Sequence, residues 1–114
     1  MANAFLSETD TAIGTSAASV LTCGASTEIT VIGMSISNIV TSQITVDVQL
    51  DASGRTSGAE DSVYLVKAAP VPVGASLVVI GGDQKVVMEP GDVIKVTSDT
   101  ASSADVVISH LDIT

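Results

Sequence analysis

The chain has 114 residues, four of them basic against thirteen acidic, for a formal charge of −9, and it holds one His, one Cys, one Tyr, one Phe and no Trp. One domain is expected across 1–114. Nucleic acid is excluded as a partner, because phosphate binding needs clustered Lys and Arg and single-strand binding needs aromatic platforms. A lone cysteine supplies neither a disulfide framework nor a zinc site.

Taken in chain order, the elements are short strands. Ala2 to Leu6 reads as an edge strand or as an arm reaching a neighbour, and residues 1–7 form the candidate assembly arm. Its start lacks a basic region and meets Glu8 before an apolar run develops, so no signal peptide is expected and synthesis is placed in a cytoplasm. Ser16 to Cys23 is the next strand, with Cys23 a small buried residue. Glu28 to Asn38 alternates loosely, which predicts burial on both faces over part of its length. The link Ile39-Val40-Thr41-Ser42 is short enough for a hairpin-like turn.

Gln43 to Asp51 alternates strictly, apolar at even positions and polar at odd ones, as in a strand with one solvated face. Ala52 to Glu60 is the longest loop, and Ser62 to Lys67 returns to strand. Pro70 and Pro72 mark an edge or a crossing between sheets, since proline cannot donate to a ladder. Ser76 to Ile80 stops at Gly81-Gly82-Asp83, which reads as a hairpin turn. Gln84 to Met88 ends at the turn Glu89-Pro90-Gly91-Asp92. Val93 to Thr97 and Ala104 to Ile113 complete the set. No apolar stretch approaches the ~20 residues of a membrane-spanning helix, and no segment keeps a helical period. Eight or nine short strands at regular spacing predict an all-β, antiparallel β-sandwich, jelly-roll-like in topology.

The chemistry-bearing residues are few. His110 lies in the last predicted strand, where Ser109 points to the opposite face and Asp112 shares its own. A local Ser–His pair is therefore excluded, and no G-x-S-x-G elbow is present. The acidic turns at Asp83, Asp92 and Asp99 with Asp105 invite a calcium reading. None has the spacing of a dedicated loop, and solvated turns are the simpler expectation. Gly81-Gly82 lacks the following helix and the Lys of a phosphate loop. The absence of Trp leaves no sugar-stacking platform. No catalytic, cofactor or metal residue is assigned. A mean hydropathy of +0.54 in so small a domain points to apolar contacts between subunits.

Two phrases carry a resemblance. They are the stretch from Tyr64-Leu65-Val66-Lys67 through Gly81-Gly82-Asp83-Gln84 to Glu89-Pro90-Gly91-Asp92-Val93-Ile94-Lys95-Val96-Thr97-Ser98, and the ending Ala101-Ser102-Ser103-Ala104-Asp105-Val106-Val107-Ile108-Ser109. About half the chain resembles small virion structural proteins of tailed bacteriophages, those of marine phages in particular. The Glu89–Val96 turn and strand are also similar to a phrase of cupin jelly rolls, but one His cannot supply a cupin metal set. The resemblance implies a non-enzymatic β-sandwich protein present in many copies on a virion. It implies homo-oligomers, trimers by analogy with capsid cement proteins, and capsid or tail proteins as partners. Head decoration stands first, with a tail, neck or fibre-base adaptor as the alternative. The assembly contact is expected at Ala4, Phe5 and Leu6, because apolar Phe5 and Leu6 are costly to leave in water. Two further readings stay open: host adhesion through the Asp51–Asp61 loop, and a hydrolase centred on His110.

Overall fold

The computed structural model describes residues 3–114. Nine strands follow one another: β1 (Asn3–Ile13), β2 (Ala18–Thr22), β3 (Glu28–Asn38), β4 (Ile44–Asp51), β5 (Val63–Val71), β6 (Ser76–Ile80), β7 (Val86–Met88), β8 (Val93–Ser98) and β9 (Ala104–Ile113). They form two antiparallel sheets, one ordered β1-β9-β3-β6 with β7 also on β3, the other β2-β8-β4-β5. These are the first and second sheets.

The pairings are nested. β4 pairs β5, β3 pairs β6 and β7, β2 pairs β8, and β1 pairs β9. That is one long antiparallel hairpin. Its wrapping brings β3 against β9 and β4 against β8, which closes two sheets over a common core. Because β6 and β7 share one edge of β3, eight strand positions remain, and the topology is the predicted jelly roll.

The core between the sheets is aliphatic. Its largest fully buried side chains are Ile29, Ile36, Ile44, Ile80, Met88, Ile94, Ile108, Val31, Val46, Val48, Val71 and Val96. β4 shows why the period works: Ile44, Val46 and Val48 point inward while Thr45, Asp47 and Gln49 point out. The looser pattern of β3 has a different cause from the predicted two-sided burial. Its register slips between Val31 and Gly33, so inward positions change from odd (Ile29, Val31) to even (Met34, Ile36). A bulge joins two clean alternations, and one face remains outward.

Two connections differ from expectation. Residues 39–42 do not make a hairpin, because β3 and β4 lie in different sheets. The chain crosses over there, held by Asn38, whose Nδ2 donates to the Ser42 and Val71 carbonyls while its Oδ1 accepts from Val40 N–H. Gly81-Gly82 is likewise no hairpin turn. β6 and β7 run in the same direction along β3, Ile80 opposite Met34 and Val86 opposite Val31, so residues 81–85 are a loop thrown out of one interrupted edge strand. Pro70 does lie in edge strand β5, and residues 72–75 cross to β6 in the other sheet.

The Glu89–Asp92 turn is the tightest junction. Gly91 N–H donates to Cys23 O and Cys23 N–H to Asp92 O, joining the turn to the end of β2. Gly91 has φ +97°, and a Cβ there would lie 2.0 Å from Gly54 O. Only glycine admits that backbone and that approach of the β4–β5 loop. Gly91→Ala is therefore expected to lose about 1–3 kcal/mol from the backbone alone, and more from displacing residues 54–55. Urea unfolding of the variant checks this through its midpoint.

Candidate functional site: an open sheet edge and a sparsely charged face

From Asn3 onward the amino-terminal segment is the edge strand β1, in unbroken register with β9 from Asn3 opposite Ile113 to Asp10 opposite Val106. Residues 1 and 2, the start of the expected arm, lie outside the described residues. Ala4, Phe5 and Leu6 are all exposed, Phe5 at 77% and Leu6 at 49%. Leu6 faces the inner side but sits at the margin, opposite buried His110. Phe5 faces outward, opposite Leu111.

The four sheet edges differ in how they resist strand addition. β5 carries Pro70 and two register shifts. The β6–β7 edge is interrupted by residues 81–85. β2 has five residues and a bulge. β1 offers eight residues, Asn3 to Asp10, with neither proline nor bulge. Long, regular edges of this kind are templates for another strand.

The two outer faces also differ. On the second sheet, Asp47 pairs with Lys67 at 3.2 Å and Asp51 with Lys95 at 2.7 Å. Lys67 also stands 4.6 Å over the Tyr64 ring. Asp51 accepts from Ser53 N–H, the Ser53 and Ser62 hydroxyls and the Lys95 ammonium. These donors, Lys95 foremost, hold its carboxyl well below the ordinary carboxylate range. Among the described residues, no such pair lies on the first sheet's outer face. Phe5, Leu111, Thr30 and Val87 make one cross-strand row, and Thr9, Val107, Ser35 and Val78 make another.

The acidic turns are not alike. Asp83 is exposed in its turn, as expected. Asp92, expected as a solvated turn residue, is instead fully buried. Arg55 donates to both its oxygens, Nε to Oδ1 at 2.8 Å and Nη2 to Oδ2 at 3.0 Å, while Nη1 reaches Glu89 at 2.7 Å. The pairing raises the Arg55 pKa, chiefly through the hydrogen bonds to Asp92. It also pins the Asp51–Asp61 loop onto the Glu89–Asp92 turn. Asp99 and Asp105 serve separate backbone sites: Asp99 accepts from Thr45 N–H, and Asp105 from the Thr11 hydroxyl and Ala12 N–H. Among the described residues no group of three His, Cys, Asp or Glu side chains could hold a metal.

His110 is buried at 3% exposure, with Nδ1 on Asp112 Oδ1 and Nε2 without a protein partner. Ser109 is exposed on the other side of the strand, as the alternation requires. Cys23 lies toward the same end of the sandwich, but its thiol donates to Thr27 O at 3.0 Å rather than to the imidazole. Burial, followed by the charges of Asp92 and Asp112, pushes that thiol up to about 11. It is held as a protonated thiol away from solvent, not as a thiolate nucleophile.

The chain matches no protein-family model and no curated protein. It is similar to a solved structure reported under the description "Bacillus endospore appendages form a novel family of disulfide-linked pili", at 16% identity, over 99% of this chain and 87% of that one, with TM-score 0.53. At that identity the likeness is one of fold.

Two outcomes follow from the site's electrostatics. Asp92→Ala removes a fully buried carboxylate from its pair and is expected to cost near the low end of ~3–5 kcal/mol, since Arg55 keeps Glu89; thermal or urea unfolding measures it. Asp51 has a lowered folded-state pKa, so its contribution is fully present above the unfolded value of about 4 and is lost as pH falls below it. Asp51→Asn is expected to be less stable at neutral pH. It should also show a shallower loss of stability between about pH 5 and pH 3, read from unfolding midpoints against pH.

Proposed function

We propose that this protein is a non-enzymatic structural subunit of a bacteriophage particle, made in the host cytoplasm and acting as a head decoration protein that binds and stabilises the capsid exterior. The observation that carries the reading is the open β1 edge, with Ala4, Phe5 and Leu6 exposed beside it. A jelly roll that blunts three edges and leaves its longest one regular is suited to strand addition from an assembly partner. The absence of a nucleophile–base pair around His110 and Cys23 supports a role without chemistry. The acidic surface suits a position outside the packaged DNA.

A second reading, as a tail, neck or fibre-base subunit, is favoured by the likeness in fold to an appendage protein. That protein is described as disulfide-linked. Here the single cysteine is buried, so assembly of this chain rests on non-covalent contacts. The pinned Asp51–Asp61 loop, exposed along most of its length, is where a host-adhesion role would reside.

Immunogold electron microscopy of intact virions, with antibody to this chain, separates the readings. Label over the head is the expected result. Label confined to the tail or neck would replace decoration with the adaptor role, and absence of label would remove the virion assignment. Ala4→Lys with Leu6→Lys, which adds edge-blocking charge without touching the buried core, is expected to weaken particle binding at least about tenfold while unfolding midpoints stay near wild type. Undiminished binding would reject the β1 edge as the contact.

A further inference from the structure

We propose that the outer face of the first sheet (β1-β9-β3-β6/β7) is a self-association surface, occupied by the same face of a second copy of this chain. The inference deepens the structural-subunit reading by naming one of the subunit's partners and the face it uses.

Charge identifies the occupant. Outward-facing positions of this sheet carry charge at Glu28 and Asp105, which lie at opposite ends of β3 and β9. Between them the rows contain Phe5, Leu111, Thr30 and Val87, then Ser7, Ser109 and Gly33, then Thr9, Val107, Ser35 and Val78. Elsewhere the surface bears the acids of a −9 chain. All four basic side chains already have partners within the molecule: Arg55, Lys67 and Lys95 in ion pairs, and Lys85 on the Gly82 carbonyl. Little cationic charge remains to neutralise a neighbour's carboxylates. Two copies meeting through a predominantly acidic surface would set like charges together, whereas this face brings mainly apolar and hydroxyl groups into contact.

Four large apolar side chains stand exposed on this face. The one Phe of the chain is 77% exposed there, with Val78 at 67%, Val87 at 62% and Val107 at 40%. The face also has relief. A depression of about 240 Å³ opens over Gly33 between Val78, Val107 and Ser109, and another of about 420 Å³ lies beside it between Thr9, Ser35, Ser37 and the two acids Asp10 and Asp105. Each can receive a protruding side chain such as Phe5 from the other copy. At strand spacings of ~4.8 Å and ~3.4 Å per residue, the face measures roughly 19 by 30 Å. Two such faces bury roughly 1,100 Å², just above the ~1,000 Å² expected of a specific interface. The association is therefore modest in strength and isologous, with the same residues contributed by both copies.

Sedimentation velocity and light scattering on the purified full chain, over a micromolar-to-millimolar range, test this without reference to virions. Failure of the face and failure of the virion reading are thus separately visible. The wild type is expected to form dimers that tighten as salt is raised, because screening relieves acidic repulsion while apolar and hydroxyl groups carry the contact. Phe5→Asp and Val107→Asp are each expected to weaken the dimer about thirtyfold or more, with unchanged unfolding midpoints because both side chains are outward. Tyr64→Asp, on the second sheet, should leave it intact. A wild type monomeric throughout would overturn the proposal. So would a dimer or trimer indifferent to both aspartates, or one that weakens with salt.

Discussion

The aliphatic layer between the two sheets is the constraint to which everything else conforms. The largest fully buried side chains are Ile, Val and Met, with no ring among them. β-branched residues have few χ1 choices and stand well on a pleated surface. Facing sheets of such residues interdigitate at about 10 Å separation, but only if each strand keeps its inward parity. Where the chain cannot keep it, the register slips: at Val31–Gly33 in β3, between Ser19 and Leu21 in β2, and between Asp10 and Ile13 in β1. The bulges allow long strands to stay in the sandwich without turning their apolar side to water.

With the core satisfied by aliphatics, the two aromatic residues lie at the surface: Phe5 on the first sheet, and Tyr64 under Lys67 on the second. The same division runs through the charges. Lys67, Lys95 and their aspartates gather on the second sheet's outer face, and Arg55 is consumed in holding the β4–β5 loop to the Glu89–Asp92 turn. The molecule is two-sided: one face is laced with ion pairs and suited to water, and the other is partly apolar, with its charges at the two ends of β3 and β9.

Several polar side chains make contacts that hold the fold together. The Cys23 thiol is bonded to a backbone carbonyl, and Asp112 faces buried His110. Asp105 and Asp99 hold backbone amides at a bulge and a strand end. What the surface presents instead is the regular β1 edge and the exposed apolar side chains of the first sheet.

Period-two alternation made the all-β class, most strand positions and the jelly-roll expectation legible from residues alone, because in a half-buried strand the side-chain period is the fold's own period. β4 is the clearest instance, and the His110–Asp112 contact followed from the same parity. Tertiary structure decided what depends on neighbours distant in sequence. The parity switch in β3 needs β9 to define the register, and Gly81-Gly82 looks like a hairpin until β6 and β7 are both seen on β3. Residues 39–42 look like a turn until their strands fall in different sheets. Asp92 reads as a solvated turn residue until Arg55, 37 positions away, is brought over it. Local sequence encodes which side of a strand is apolar. Which strand lies alongside, which edge stays open and which charge is buried are set by long-range pairing, where the chain's local preferences carry no information.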